Sequence, residues 1–192
     1  MERLSRKFFA RDSAEVARCL LGKILVRDFE GDLLRGEIVE TEAYYGETDP
    51  PSHASSGKTG RSMIMWGQSG RVYVYLIYGI HYMLNIVTES AGSPGAVLIR
   101  ALVPIEGLER MSENRDGVDY DQLTDGPGKL TRAFGIGLEE NGEDIVSSDK
   151  LWLESGKDYE DERITVSGRI GVSEGKNDPL RFFVADNPFV SR

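Results

Sequence analysis

Cysteine is nearly missing from this chain: Cys19 stands alone among 192 residues, which excludes an internal disulfide and any multi-cysteine zinc site. Histidine is almost as scarce. His53 and His81 are too few and too lightly supported for a metal site, and no metal or other cofactor is expected. No apolar run approaches the roughly 20 residues of a membrane span. The start, MERLSRKFFARDSAEV, lacks the apolar centre of a signal peptide. The expectation is a soluble intracellular protein without a membrane partner. At 40% hydrophobic it is long enough for one well-filled core and short for two domains.

Acidic residues are missing from one long stretch of an otherwise acidic protein. The net charge of −9, taken as an average, argues against a nucleic-acid partner. Between Pro50 and Ile105 the only acid is Glu89, where a proportional share would be roughly nine. Lys58, Arg61, Arg71 and Arg100 give that window a charge of +3 and leave −12 for the rest. Such a segment is either a face built to meet an anion or a set of buried strands that exclude charge. Charge alone does not choose between them. Lysine is also sparse, 7 against 16 arginines, which hints at a saline cytoplasm.

Several familiar motifs are incomplete. GKTGRS (Gly57–Ser62) resembles part of a phosphate-binding loop but has Ser52 where the first glycine is required. GPGKL (Gly126–Leu130) reads as an ordinary helix start that could also present its N-terminus to a phosphate. GRIGV (Gly168–Val172) is not a dinucleotide fingerprint, and no spacing suggests a Ser-His-Asp arrangement.

Local patterns predict mixed elements. Asp12 to Glu15 fits a capping box, opening a helix that ends at Gly22. Strands are predicted over Lys23–Asp28 and Leu33–Tyr45, joined as a hairpin through FEGD. The loop Asp49–Ser62 is longer than most connections and therefore reads as functional. RVYVYLIY and YMLNIVT are predicted strands meeting at Gly79, and Gly95–Pro104 is another. IEGLERMSE and PGKLTRAFGI are predicted helices, Pro127 suiting the first helical position. LWLE, ITVSGRIGV and LRFFVA complete a run of short strands. Consecutive strands without regular intervening helices argue for an α+β domain with a largely antiparallel sheet.

What the chain has in local abundance is tyrosine. RVYVYLIYGIHYMLNI holds Tyr73, Tyr75, Tyr78 and Tyr82, half of its 8 tyrosines. Strand alternation puts Tyr73, Tyr75 and Ile77 on one face, and places Tyr78 at the turn, where a ring projects from the tip. In IVETEAY the same alternation sets Val39, Thr41 and Ala43 inward. It leaves Glu40, Glu42 and Tyr44 opposite, either solvated or lining a pocket.

Stacking rings, a strand carboxylate, a histidine-bearing loop and Arg100 thus fall in or beside the acid-poor window. Aromatic faces with basic neighbours hold unstacked bases, each stack worth about 1–3 kcal/mol. A carboxylate beside them suggests chemistry on the base. The blocks IVETEAYYG, DPPSHA, GRSMIMWG, RVYVYLIYGIHYMLNI, GAVLIRALVP, DGPGKLTRAFGI, RIGV and PLRFFVADNPFVS, in this order, resemble the alkyladenine-type 3-methyladenine DNA glycosylases. The resemblance runs from about Phe8 to Ser191.

The resemblance implies one compact domain around a curved antiparallel sheet, and a monomer acting on double-stranded DNA that contains damaged purines. The activity implied is removal of those purines by hydrolysis of the N-glycosidic bond after base flipping. The implied localisation is cytoplasmic in a prokaryote, nuclear in a eukaryote. By motif position Glu42 is the general base, and Arg100 its partner in holding the nucleophilic water, with the backbone carbonyl of Ile170 as a further ligand. Tyr44, His53 and Tyr75 match the pocket walls, Asn85 the residue that crowds the 2-amino group of guanine, and Tyr78 the ring inserted into the minor groove. His81 is read as structural. No lysine sits in the matching strands, so a Schiff-base step is not expected.

Where bacterial members usually read MFGPPG this chain has MWGQSG (Met65–Gly70), and the loss of two prolines is expected to loosen the approach near Met65. Two other readings stay open: a single-stranded RNA platform with Glu42 merely exposed, and a hydrolase of free nucleosides. Tyr78 beside a turn glycine favours the duplex enzyme over both.

Overall fold

One long strand organises the molecule. The computed structural model describes residues 1–191, and in it β2 (Asp32–Tyr44) has partners along both edges. β5 (Ala96–Glu106) runs antiparallel along one edge. Along the other, β1 (Ile24–Phe29) pairs with Asp32–Glu37 and β8 (Arg181–Val184) with Glu40–Glu42. The change of neighbour falls where the β2–β5 register is irregular, between Ile38 and Thr41. Such bulges re-aim side chains and recur beside active sites; here the irregularity lies immediately before Glu42.

The remaining strands extend this hub. β3 (Val72–Ile77) and β4 (His81–Val87) form a hairpin on β5, while β6 (Leu151–Glu154) pairs with β1 and β7 (Ile164–Ser167) with β8. The result is an eight-stranded, wholly antiparallel sheet of order β3-β4-β5-β2-β1-β6, with β8 and β7 joined at β2. With its helices it is the α+β architecture read from the sequence.

Helices α1 (Arg6–Phe9), α2 (Ser13–Leu20), α3 (Leu108–Asn114) and α4 (Pro127–Ala133) complete the fold. α2 starts as expected at Asp12, whose carboxylate accepts the Ala14 and Glu15 amides. The reciprocal half of the predicted capping box is absent, because Glu15 pairs with Arg11. Val39, Thr41 and Ala43 are fully buried, and the Thr41 hydroxyl donates to the Ala17 carbonyl of α2 at 2.8 Å, so this face of β2 does point into the core.

One predicted strand is shorter than expected. ITVSGRIGV is extended only to Ser167; Gly168–Val172 leaves the sheet. The Arg169 side chain turns inward instead and is fully buried against Asp49.

Candidate active site

The C-terminal part of β2, the adjoining portions of β3–β5 and two loops enclose an open cavity of about 570 Å³, a size typical of small-molecule sites, which run to roughly 300–1,000 Å³. Apart from Tyr44, Pro127 and Ile170–Val172, its lining comes from the acid-poor window and includes no carboxylate. That window therefore lacks acids for two reasons. Part of it is buried sheet, and part is the wall of this cavity, which carries Arg61 and Arg100.

Glu40 and Glu42 are both fully buried, which excludes the solvated alternative for this face of β2. They hold different partners. Glu40 accepts Arg100 Nε at 2.9 Å, Arg181 Nε at 2.7 Å, and the Ser191 amide and hydroxyl at 2.7 and 2.8 Å. Its two oxygens are thereby occupied by donors, and it ties the C-terminal segment to Arg100. Glu42 accepts the Tyr44 hydroxyl on Oε2 at 2.8 Å and the Ile170 amide on Oε1 at 2.7 Å. Arg100 Nη1 lies 3.3 Å from the same Oε2. Tyr44, Arg100 and Ile170 all line the cavity, so Glu42 is the carboxylate directly beneath its floor.

The electrostatics of this floor follow from burial. Desolvation, then the charge of Glu42, pushes the Tyr44 hydroxyl far above its usual pKa, so Tyr44 remains a protonated donor. Desolvation opposes the charge on Arg100, but Glu42 and Glu40 outweigh it and its pKa is raised.

One wall is aromatic. The His53 and Tyr75 rings stand edge to face at 4.6 Å, Tyr73 and Tyr75 lie 5.2 Å apart, and His53 Nδ1 is 2.8 Å from the Tyr73 hydroxyl. Burial pushes Tyr75 up to about 12. Burial, reinforced by the charge of Arg61, pulls His53 down to about 4. His53 is thus a neutral wall at pH 7. Because its pKa in the fold lies below the unfolded value of about 6.5, its contribution to stability is complete above pH 6.5 and is lost as pH falls toward 4. A ring-proton NMR titration should place the His53 midpoint near pH 4; a midpoint above 6 would contradict this description.

Asn85 is 3% exposed at the cavity, its amide donating to the Tyr73 and Met83 carbonyls at 3.1 and 3.3 Å, so it is held rigidly. Tyr78 is the opposite case. It is 88% exposed at the tip of the β3–β4 hairpin, on the cavity rim, as its place before Gly79 predicted. Tyr78 and Gly79 both have positive φ, +51° and +73°, with the Ile80 amide on the Ile77 carbonyl, the pattern of a type I′ turn. A bulky non-glycine residue in that region is strained. His81 is exposed and outside the cavity.

Sequence patterns gave no sign of the Asp49–Arg169 pair. Arg169 donates to both Asp49 oxygens at 2.7 Å and to the Ala43 carbonyl at 3.0 Å, and its guanidinium lies 4.8 Å from the centre of the Tyr44 ring. Asp49 also accepts the Tyr45 amide at 2.9 Å. This buried pair joins the end of β2, the loop carrying His53 and the loop carrying Ile170. The MWGQSG segment is also better tied than the missing prolines suggested: Met65 is 2% exposed in a 3₁₀ turn, and Arg6 holds the Ser69 carbonyl at 2.6 Å. Among the described residues no three His, Cys, Asp or Glu side chains converge as metal ligands, and no helix is long and apolar enough to cross a membrane.

Comparison with known proteins gives this geometry a context. The model of the methylpurine-DNA glycosylase family matches residues 7–188. The chain belongs to that family. It is accordingly an enzyme of the class that hydrolyses N-glycosyl bonds, with DNA as substrate. Bacterial relatives align over nearly their whole lengths. A protein of Carboxydothermus hydrogenoformans is 44% identical over 189 residues, 98% of each chain. One from Chlorobium phaeobacteroides strain BS1 is 46% identical over all of this chain and 96% of its own. One from Clostridium perfringens is 42% identical over 99% of each. All three carry the name "Putative 3-methyladenine DNA glycosylase".

Proposed function

We propose that residues 1–192 act as one monomeric, monofunctional glycosylase domain on double-stranded DNA in the cytoplasm, excising damaged purines after flipping them into the cavity. The substrate class is 3-methyladenine, 7-methylguanine, hypoxanthine and ethenoadenine. The observation that carries this reading is Glu42, buried directly beneath an aromatic-walled cavity and touched by Arg100, Tyr44 and the Ile170 amide.

In this mechanism the extruded base stacks between Tyr44 on one side and His53 and Tyr75 on the other, and Asn85 crowds the 2-amino group of normal guanine. Glu42 takes a proton from a water whose oxygen attacks C1′ of the sugar, and the electrons of the C1′–N bond leave with the base. Arg100 and the Ile170 carbonyl orient that water. A carboxylate so placed also stabilises the oxocarbenium character that develops on the sugar. A free-nucleoside hydrolase has no use for an exposed, strained Tyr78. In duplex DNA that ring fills the gap left by the extruded nucleotide, offsetting a flipping cost of a few kcal/mol.

Incubating the protein with duplexes that each carry one of the four lesions, followed by alkali, tests the activity. Strand breaks should appear at one or more lesions only after alkali; no break at any of them would reject the reading. Tyr78→Ala tests the wedge. Its single-turnover excision should fall on duplex hypoxanthine DNA and suffer much less on the single strand, since no duplex gap then needs filling. The comparison belongs at fixed salt, because phosphate contacts are salt-sensitive. Equal losses on both substrates would remove Tyr78 from this role.

A further inference from the structure

Arg61 has been given no role so far, yet it reaches the aromatic wall. Its guanidinium lies 4.6 Å from the centre of the Tyr75 ring, and both residues line the cavity. Arg100, the cavity's other arginine, is matched by Glu40 and Glu42. Arg61 has no ion-pair partner among the described residues; its Nη2 makes a long hydrogen bond to the Leu76 carbonyl at 3.4 Å, and its guanidinium also interacts with the Tyr73 hydroxyl. His53 is neutral at pH 7, so Arg61 is the unmatched positive charge of this wall.

We propose that Arg61 is a specificity residue that biases the cavity toward neutral damaged purines and against cationic ones. This rests on the glycosylase reading above and adds the charge class of the preferred lesion. An aromatic face attracts a cation through its quadrupole. With Arg61 already over Tyr75, a purine made cationic by N3 or N7 alkylation meets a ring whose attraction is partly satisfied, together with a like charge on the exposed side of this open cavity. A neutral base such as hypoxanthine meets no repulsion. Its O6 and N7 are acceptors for a guanidinium, the pairing by which arginine recognises 6-oxopurines in DNA grooves. Alkylation at N7 removes one of these acceptors and adds the charge.

The test compares wild type, Arg61→Met and Arg61→Lys on duplexes containing one hypoxanthine or one 7-methylguanine, by single-turnover kcat/KM at two salt concentrations. Methionine keeps an apolar stem on Tyr75 and removes the charge; lysine restores it. The ratio of 7-methylguanine to hypoxanthine excision should rise on the order of tenfold in Arg61→Met, the scale of one cation–π contact, and return toward wild type in Arg61→Lys. Taking a ratio of two lesions cancels the intrinsic lability of each. A ratio within twofold of wild type, or one that falls, overturns the proposal. If both lesions lose equally and the salt slope decreases by about one, Arg61 is a phosphate contact instead. Wild type that excises neither lesion overturns the glycosylase reading itself, and this proposal with it.

Discussion

Glu42→Gln abolishes most excision while leaving lesion-DNA binding within a few fold. The substitution keeps the shape of a fully buried side chain and removes its charge beside Arg100 together with its capacity to accept a proton. Loss of a general base typically costs 10²–10⁴ in rate, roughly 3–5 kcal/mol of transition-state stabilisation. With its oxygen at the Oε1 position the glutamine keeps the Ile170 amide, and its NH2 at the Oε2 position can donate to the Tyr44 hydroxyl oxygen, so the floor of the cavity keeps its outline. Single-turnover rates on a hypoxanthine duplex, with binding measured in parallel, separate chemistry from recognition. Turnover near wild type would contradict the assignment and turn attention to Glu40, whose oxygens already hold Arg100, Arg181 and Ser191.

The second large effect is on stability. Arg169→Met leaves the Asp49 carboxylate buried without its bidentate partner, and breaking a buried pair in this way costs about 3–5 kcal/mol. For a chain of this size each kcal/mol moves Tm by roughly 2–4 °C. Adding Asp49→Asn to Arg169→Met should recover part of the loss, because the stranded charge is then gone. Urea midpoints of the two single variants and the double variant give the coupling. A single-variant loss below about 1 kcal/mol would show that water reaches the pair and that the brace is not dry.

Much of this architecture was written in local patterns. The inward face of β2 followed from the alternation of Val39, Thr41 and Ala43, the exposed tip from Tyr78 before Gly79, and the start of α2 from Asp12. Alternation could place Glu40 and Glu42 on one face of β2 but could not separate their surroundings. The difference comes from chain segments far away in sequence, Ser191 closing over Glu40 and Ile170 over Glu42. The Asp49–Arg169 pair escaped for the same reason: its members lie 120 positions apart, and nothing local distinguishes a buried arginine from a solvated one. GRIGV misled because its apolar residues suit a strand, while its glycines and the inward turn of Arg169 break it. The window without acids was informative but ambiguous, since a buried sheet and a cavity wall exclude carboxylates alike.

In the proposed reaction a damaged purine leaves the duplex and enters this cavity above Glu42. A crystal structure of Glu42→Gln bound to duplex DNA with a single hypoxanthine tests it most directly. The base should be stacked between Tyr44 and the His53–Tyr75 wall, with the Tyr78 ring in the vacated step and space for one water between C1′ and residue 42. A hypoxanthine still paired in the helix, or bound away from Tyr44 and His53, would contradict it.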